Sequence, residues 1–112
     1  MFTDADNTNP AVFFAVADPT RRAILEHLRG GALSAGELAS RFSVSRPAVS
    51  RHVRVLRDAG LVRQTRDRQM LHYSLDPAPL ALVDRWLSGY RVFWGARMQE
   101  LRQYVEEEQS DE

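Results

Sequence analysis

The 112-residue sequence contains no cysteine, and all fifteen of its basic residues are arginine. Without cysteine, neither a disulfide framework nor a thiolate metal site can form. No apolar run approaches the roughly 20 residues that a helix needs to cross a bilayer, so we expect no membrane partner. Gly-rich phosphate loops, paired catalytic carboxylates and Ser/His/Asp sets are also missing. The sequence therefore predicts a protein that is not an enzyme and holds no cofactor.

The N-terminal stretch, MFTDADNTNP, is acidic and polar, unlike a secretory signal or a transit peptide. We therefore expect a soluble, cytoplasmic protein. The length predicts one domain, large enough for a core and small enough to gain from dimerisation. We place this domain at 10–108, between a flexible segment at 1–9 and an acidic tail at 109–112.

The charges are unevenly distributed, although the formal net charge is zero. Residues 41–68 contain eight arginines and two aspartates, a net charge of +6. Residues 99–112 carry six acids and one arginine, a net charge of −5. A basic middle segment is typical of a protein that binds nucleic acid, and arginine suits planar, two-pronged contacts.

The stretch SVSRPAVSRHVRVLRDAG, residues 43–60, predicts a helix with two contrasting faces. Ser45 is suited to cap its first turn, Pro47 to lie within that turn, and Gly60 to end it in a left-handed conformation. At about 100° per residue, one apolar stripe contains Val49, Val53 and Leu56. The other side carries Arg46, Pro47, Ser50, Arg51 and Arg54. That side has the chemistry of a helix in a DNA major groove, and a solvated helix face is the alternative.

A short helix precedes this cationic helix. Ser34 and Glu37 have the spacing of a capping box, which predicts a helix to about Phe42 with Phe42 facing the core. The following three residues predict a tight turn in which Val44 fills the gap between the two helices. The short helix, turn and longer helix together predict a helix-turn-helix.

Beyond Gly60, the segments LVRQTR and MLHYSL predict two strands around the turn Asp67-Arg68-Gln69. Such a hairpin is the wing of a winged helix. Arg66 and Arg68 lie near its tip, where they are expected to enter a minor groove or touch phosphate.

Three further helices are predicted to begin with a capping side chain and a proline, at Asn9-Pro10, Asp18-Pro19 and Asp76-Pro77. The first runs to Ala17 and the second to Arg29. Arg21 and Arg22 on the second are expected to be solvated or ion-paired, with phosphate contact as the alternative. The last is predicted to continue to about Glu107 as one helix of roughly 45 Å. It carries more aromatic surface than so small a body can bury, which predicts an interface.

The segment ELASRFSVSRPAVSRHVRVLRDAGLV resembles the helix-turn-helix of the ArsR family of bacterial repressors. DPTRRAILEHL and HYSLDP match the same family in the same order, so the resemblance runs from about Phe13 to Leu87. It implies a mainly α fold with a small β-hairpin wing, in the order of four helices, two strands and one helix. It also implies groove-reading roles for Arg46, Pro47, Ser50 and Arg51, and a dimer built from the first and last helices.

These inferences define two sets of candidate residues. The predicted DNA-contacting set is Ser45, Arg46, Pro47, Ser50, Arg51, His52, Arg54, Arg66 and Arg68. The predicted dimer interface is Val12, Phe13, Phe14, Leu80, Val83, Trp86, Leu87, Tyr90, Phe93, Trp94, Met98 and Leu101.

No metal site is predicted. His27, His52 and His72 lie on different elements, and no carboxylate keeps a ligand spacing with them. We expect His52 to pack or to touch phosphate. Metal-sensing members of the family use a Cys pair in the short helix or Asp/His sets on the last helix. Here the short helix reads ELASRF and the last helix holds no His, so those sites do not carry over.

The sequence therefore predicts a homodimeric transcriptional regulator, a repressor that is not metal-responsive and binds double-stranded DNA. Its two recognition helices would lie about 34 Å apart, which predicts an inverted-repeat operator. Two alternatives remain open at this stage. One is a sensor that takes a small apolar ligand in the aromatic dimer cleft, and the other is a protein-assembly module whose basic face binds an acidic partner.

Overall fold

The computed structural model describes residues 10–110, which form helices and one small antiparallel sheet. In chain order the elements are α1 (Pro10–Ala17), α2 (Pro19–Leu28), β1 (Leu33–Ser34), α3 (Ala35–Ala39), α4 (Arg46–Asp58), β2 (Val62–Asp67), β3 (Met70–Leu75), a short 3₁₀ helix (Ala78–Leu80), α5 (Ala81–Ser88) and α6 (Arg91–Ser110). The predicted flexible segment, the Asn9 cap and the end of the acidic tail lie outside the described residues. No helix within 10–110 is long and apolar enough to span a membrane.

The chain divides into two compact units, one ending at Leu82 and the other beginning at Val83. The domain predicted over 10–108 stays a prediction. The first unit holds the core, whose largest fully buried side chains are Val12, Ile24, Leu38, Val53, Leu56 and Leu61. Each such side chain contributes about 1.5–3 kcal/mol when it leaves water. This burial holds α1 to α4 together around one apolar centre.

Local capping fixes where the two helices of the helix-turn-helix begin and end. The Ser34 hydroxyl accepts from the Glu37 N–H (3.1 Å), and the Glu37 carboxylate accepts from the Ser34 N–H (2.9 Å), as the capping box predicts. At the end of α4, Gly60 has φ +81°, and the N–H groups of Gly60 and Leu61 donate to the carbonyls of Arg57 and Leu56. This is a Schellman end, in which a residue with a Cβ would cost about 1–2 kcal/mol.

The turn between α3 and α4 differs from the prediction. Helix α3 ends at Ala39, and the N–H groups of Arg41 and Phe42 donate to carbonyls only three residues back, which tightens the chain. The Ser40 hydroxyl donates to the Glu37 carbonyl (2.7 Å) and competes with continued helix. Phe42 is only half-buried, with its ring edge-on to His27 at 5.3 Å. Val44 is 45% exposed, so the prediction that it fills the gap between the helices was wrong.

The predicted hairpin wing is confirmed, with an additional strand beside it. The sheet order is β1-β3-β2, with Leu33 opposite Tyr73 on one side and Gln64 opposite Tyr73 on the other. A two-residue strand such as β1 has no periodicity to detect, so the sequence did not predict it. Because β3 is the central strand, His72 and Ser74 on its second face are half-buried as well.

The prediction of one continuous C-terminal helix was wrong. The Asp76 carboxylate accepts from the Ala78 N–H (3.1 Å), and the chain here forms a 3₁₀ helix with Pro77 at its N-cap instead of an α-helix capped by Asp76. The helical run then stops after Ser88 and resumes at Arg91. Ser88 and Gly89 explain the interruption, because Ser/Gly pairs are common break points in helices. The Ser88 hydroxyl also donates to the Arg85 carbonyl (2.6 Å), which competes with the helical hydrogen bonds. Helix α6 then runs to Ser110, past the predicted end near Glu107.

Three carboxylates that accept backbone N–H groups make stability depend on pH. The pKa of Asp18 is held below its ordinary 3.8 chiefly because the Arg21 backbone N–H donates to it. The Ser34 N–H lowers the pKa of Glu37 below 4.5 in the same way. The Ala78 N–H, helped by the Arg63 guanidinium, lowers that of Asp76 below 3.8. Each carboxylate thus stabilises the folded chain above its unfolded-state pKa and loses that effect as pH falls through the folded value.

We predict that the free energy of unfolding falls as the pH is lowered below about 4.5, because the unfolded chain then binds more protons than the folded one. Denaturant unfolding at a series of pH values measures this. Glu37→Gln keeps a capping acceptor but cannot titrate, so it should remove part of the dependence. An unchanged acid slope in that variant would contradict the contribution assigned to Glu37.

Candidate nucleic-acid interface

Helix α4 presents its two predicted faces in the predicted directions. Val49, Val53 and Leu56 are at most 3% exposed, so the apolar stripe lies in the core. The opposite residues are exposed to solvent, namely Arg46, Pro47, Ser50, Arg51 and Arg54. The Ser45 hydroxyl oxygen is used locally, because it accepts from the Ala48 N–H at 3.3 Å. The cationic face of α4 is therefore available to an external partner.

The arginines of the basic segment fall into two groups. Some are held by the protein: Arg57 bonds to Gln64, Arg63 to Asp76 at 2.9 Å, and Arg41 to His27 at 3.3 Å. Within residues 10–110, the others donate to no protein atom, and they are Arg46, Arg51, Arg54, Arg66 and Arg68. All five are exposed and belong to the predicted DNA-contacting set. Their guanidinium groups are thus free to bind phosphates and base edges.

The wing turn is short and places an arginine at its tip. Asp67 pairs with Met70, which leaves Arg68 and Gln69 as a two-residue loop. Arg68 has φ +60°, a left-handed conformation that costs a residue with a Cβ about 1–2 kcal/mol. A crevice of about 250 Å³ is lined by Arg46 from the start of α4 and by Gln69 and Met70 from the wing. The first turn of α4 and the wing tip therefore border the same open surface.

His52 differs from the rest of the predicted DNA-contacting set. Its ring is half-buried, with Nδ1 at 3.2 Å from a terminal nitrogen of Arg21 and 3.9 Å from the Asp18 carboxylate. His52 therefore packs against α2, which is one of the two roles expected for it. The other two histidines lie elsewhere, and no group of three or more His, Asp or Glu side chains among the described residues is arranged to hold a metal.

Sequence reasoning missed the role of the two consecutive arginines on α2. Arg21 is 8% exposed and donates to the carbonyls of Phe14 and Ala15, both at 2.8 Å. Arg22 donates to those of Val16 (2.9 Å) and Ala17 (3.1 Å). These four carbonyls are the ones that the end of α1 leaves without helical partners.

The expectation of a solvated or ion-paired Arg21 was therefore wrong. A basic side chain also stabilises the negative end of a helix dipole, and α1 has no basic residue in its own last turn. That absence, followed by two arginines just after the next helix start, was the signal available in the sequence.

The predicted interface residues mostly lie at the surface of the chain. Those classed as exposed are Phe14, Trp86, Tyr90, Phe93, Trp94, Met98 and Leu101. Half-buried are Phe13, Leu80, Val83 and Leu87. Val12, also in the predicted interface, has no exposed surface and is buried in the core with Ala15. Trp86 and Tyr90 meet edge to face at 5.3 Å.

Comparison with known proteins agrees with this geometry. Residues 16–65 match the family described as Helix-turn-helix domain. The chain is 42% identical over 97 residues to the HTH-type transcriptional regulator Rv2034 of Mycobacterium tuberculosis, covering 87% of this chain and 88% of that protein. It is 38% identical over 79 residues to the transcriptional repressor SdpR of Bacillus subtilis, covering 70% and 88%.

A solved ArsR-like transcriptional regulator from Rhodococcus sp. RHA1 superposes with a TM-score of 0.69 at 32% identity, covering 92% of this chain and 93% of that one. The chain belongs to the ArsR family. As an ArsR-family protein it is a DNA-binding transcriptional regulator with a winged helix-turn-helix, as the sequence predicted. The exposed face of α4 and the wing are the parts of this ArsR-family chain that are chemically suited to DNA.

We predict different roles for Arg46 and Arg68. Arg46 lies in the first turn of α4, so Arg46→Ala should weaken binding to a selected duplex by about 1–3 kcal/mol and relax one base position. Arg68→Ala should weaken all sequences alike and reduce the salt slope by about one, as loss of a phosphate contact does. The measurement is a salt titration of affinity on selected and unrelated duplexes.

Arg29→Ala is the matched control. It removes the same charge from an exposed side chain that already pairs with Glu26 at 3.0 Å, so both affinities should hardly change. If Arg46→Ala weakened all sequences alike and Arg68→Ala relaxed a base position, the two assignments would be reversed.

Proposed function

We propose that this chain is a homodimeric repressor that inserts α4 of each subunit into the major groove of an inverted-repeat operator. The carrying observation is the set of five exposed arginines that have no partner among the described residues. Gathering +6 of charge in residues 41–68 is unfavourable in the free protein because like charges repel. DNA phosphates relieve that repulsion and release counterions, which supports duplex DNA as the partner.

The apolar surface of α5 and α6 supports a second copy of the chain as the other partner. Trp86, Phe93 and Met98 are each more than half exposed, and such apolar surface marks interaction sites. A two-fold interface covers the same patch on both subunits, so one exposed surface per chain is sufficient. Two copies of α4 set one turn of B-DNA apart, about 34 Å, would read two half-sites of opposite direction.

That the protein represses transcription, and does not activate it, is proposed by analogy. SdpR is named a transcriptional repressor, and a dimer on promoter DNA would block transcription by occupying it. We also propose that metal ions do not release this protein from DNA. The carboxylates of the C-terminal helices, such as Asp84 and Glu100, are exposed, and carboxylates without His or Cys ligands beside them do not select zinc over magnesium.

We predict that the protein sediments as a dimer at micromolar concentration and that Trp94→Glu makes it a monomer with weak operator affinity. Trp94 is 47% exposed in the subunit, so the charge should disrupt a partner contact and leave the subunit fold intact. Analytical ultracentrifugation, circular dichroism and binding to the operator recovered from random duplex DNA measure these effects. Val92→Glu is the control, since Val92 is 75% exposed and outside the predicted interface. A monomeric wild type with full operator affinity would refute the dimer.

We predict that zinc, nickel, cobalt or arsenite at low micromolar levels changes operator affinity less than about threefold, under ~1 kcal/mol. A ligand shifts an equilibrium only by its differential affinity for the two states, and a site without selective ligands supplies little. Fluorescence anisotropy on operator DNA, repeated with each metal and with chelator, measures it. Tenfold weakening by one metal, reversed by chelator, would reveal a site and contradict the proposal. If metals have no effect, a small apolar ligand at the aromatic surface becomes the next candidate signal.

A further inference from the structure

A polar cluster joins α4, the proposed recognition helix, to the corner between α1 and α2. Its centre is the buried guanidinium of Arg21, which holds the carbonyls of Phe14 and Ala15 and lies 4.9 Å from the centre of the Phe14 ring. The remaining terminal nitrogen lies 3.2 Å from Nδ1 of His52 on α4. One side chain therefore bonds to the end of α1 and to the recognition helix at the same time.

A hydrogen bond between these two nitrogens sets a condition on the His52 ring. A guanidinium group can only donate, so Nδ1 of His52 would have to accept with its lone pair. That bond requires the ring proton on Nε2 and a neutral imidazole. In this state His52 holds Arg21 and so connects α4 to the α1–α2 corner. The two neighbours of His52 on α4 are Arg51, which is exposed, and Val53, which lies in the core.

Protonation of the ring would remove the bond. A charged imidazole has donors on both nitrogens and no acceptor, so it cannot bond to Arg21, and the two cations would repel at this distance. The Asp18 carboxylate lies 3.9 Å from Nδ1 and is placed to accept a hydrogen bond from the new Nδ1–H. That bond would draw the ring away from Arg21. Among the described residues, the charged groups in contact with His52 are Asp18, which caps α2, and Arg21 on α2, and α1 contributes its carbonyls to Arg21.

We propose that neutral His52 is a positioning residue, which through its bond to Arg21 seats α4 in the orientation that reads the operator. Protonation of the ring releases that seat and lowers the preference for operator over unrelated DNA. The inference rests on the operator recognition proposed above. Base-edge contacts demand a fixed orientation of α4, whereas phosphate contacts tolerate small shifts and gain from added positive charge. The ratio of specific to non-specific affinity therefore isolates the effect.

The first experiment measures that ratio for the full-length protein in steps from pH 8 to pH 5.5. In the wild type the ratio should fall about fivefold, which corresponds to one hydrogen bond of ordinary strength. His52→Asn places an amide oxygen near the position of Nδ1 and cannot titrate, so its ratio should stay high throughout. His52→Gln places its acceptor near Nε2 instead, so its ratio should be low throughout. His72→Asn, the same change on the wing, should follow the wild type.

A second experiment needs no variant and so does not depend on whether the substituted chains fold. Nitrogen-15 spectra of the wild-type imidazoles at pH 8 should show His52 with its proton on Nε2 and an unprotonated Nδ1. The opposite tautomer would overturn the proposal, as would a wild-type ratio that does not change with pH, or a His52→Asn ratio that falls like that of the wild type. A protein that prefers no sequence at any pH would instead refute the proposed operator recognition.

Discussion

The buried charge of Arg21 is the constraint on which the arrangement of the first unit depends. A guanidinium at 8% exposure is tolerated only if its donors are satisfied, and here carbonyls of α1 and a ring nitrogen of α4 satisfy them. The same bonds supply the partners that the end of a short, two-turn helix lacks. α1 is therefore held by its neighbours more than by its own sequence, and α4 shares the group that holds it.

This arrangement separates the arginines that build the fold from those whose guanidinium groups have no partner among the described residues. Arg21 and Arg22 donate to the carbonyls at the end of α1. Arg63 on β2 pairs with Asp76, the first residue after β3. The arginines on the outer face of α4 and near the wing tip have no such partner among the described residues. A carboxylate beside them would compete with phosphate for the same donors. The segment from Arg41 to Arg68 has two carboxylates, and neither is hydrogen-bonded to an arginine within residues 10–110.

The features that the sequence predicted well depend on residues only a few positions apart. The capping box at Ser34, the cap at Ser45 and the left-handed end at Gly60 are local chemistry, so spacing alone identified them. The burial of the α4 stripe followed from helical periodicity. The wrong predictions concern either contacts between distant elements or a stretch where apolar spacing favours a helix and the residues Ser and Gly interrupt it. The role of Arg21 depends on where α1 ends in space, and the apolar spacing of the last helix continued through Ser88-Gly89, which concealed the break there.

That break changes how the predicted interface should be understood. Side chains share a face at three- and four-residue steps only while the helix is continuous, so a stripe counted through Gly89 combines two independent faces. On α6 alone, Trp94, Met98, Leu101 and Val105 keep those steps without interruption, and all four are exposed. On α5 the apolar surface is shorter, and an ion pair between Asp84 and Arg91 crosses the break. In the proposed dimer, a second copy would therefore find its longest continuous apolar face on α6, and substitutions there should affect assembly more than substitutions on α5.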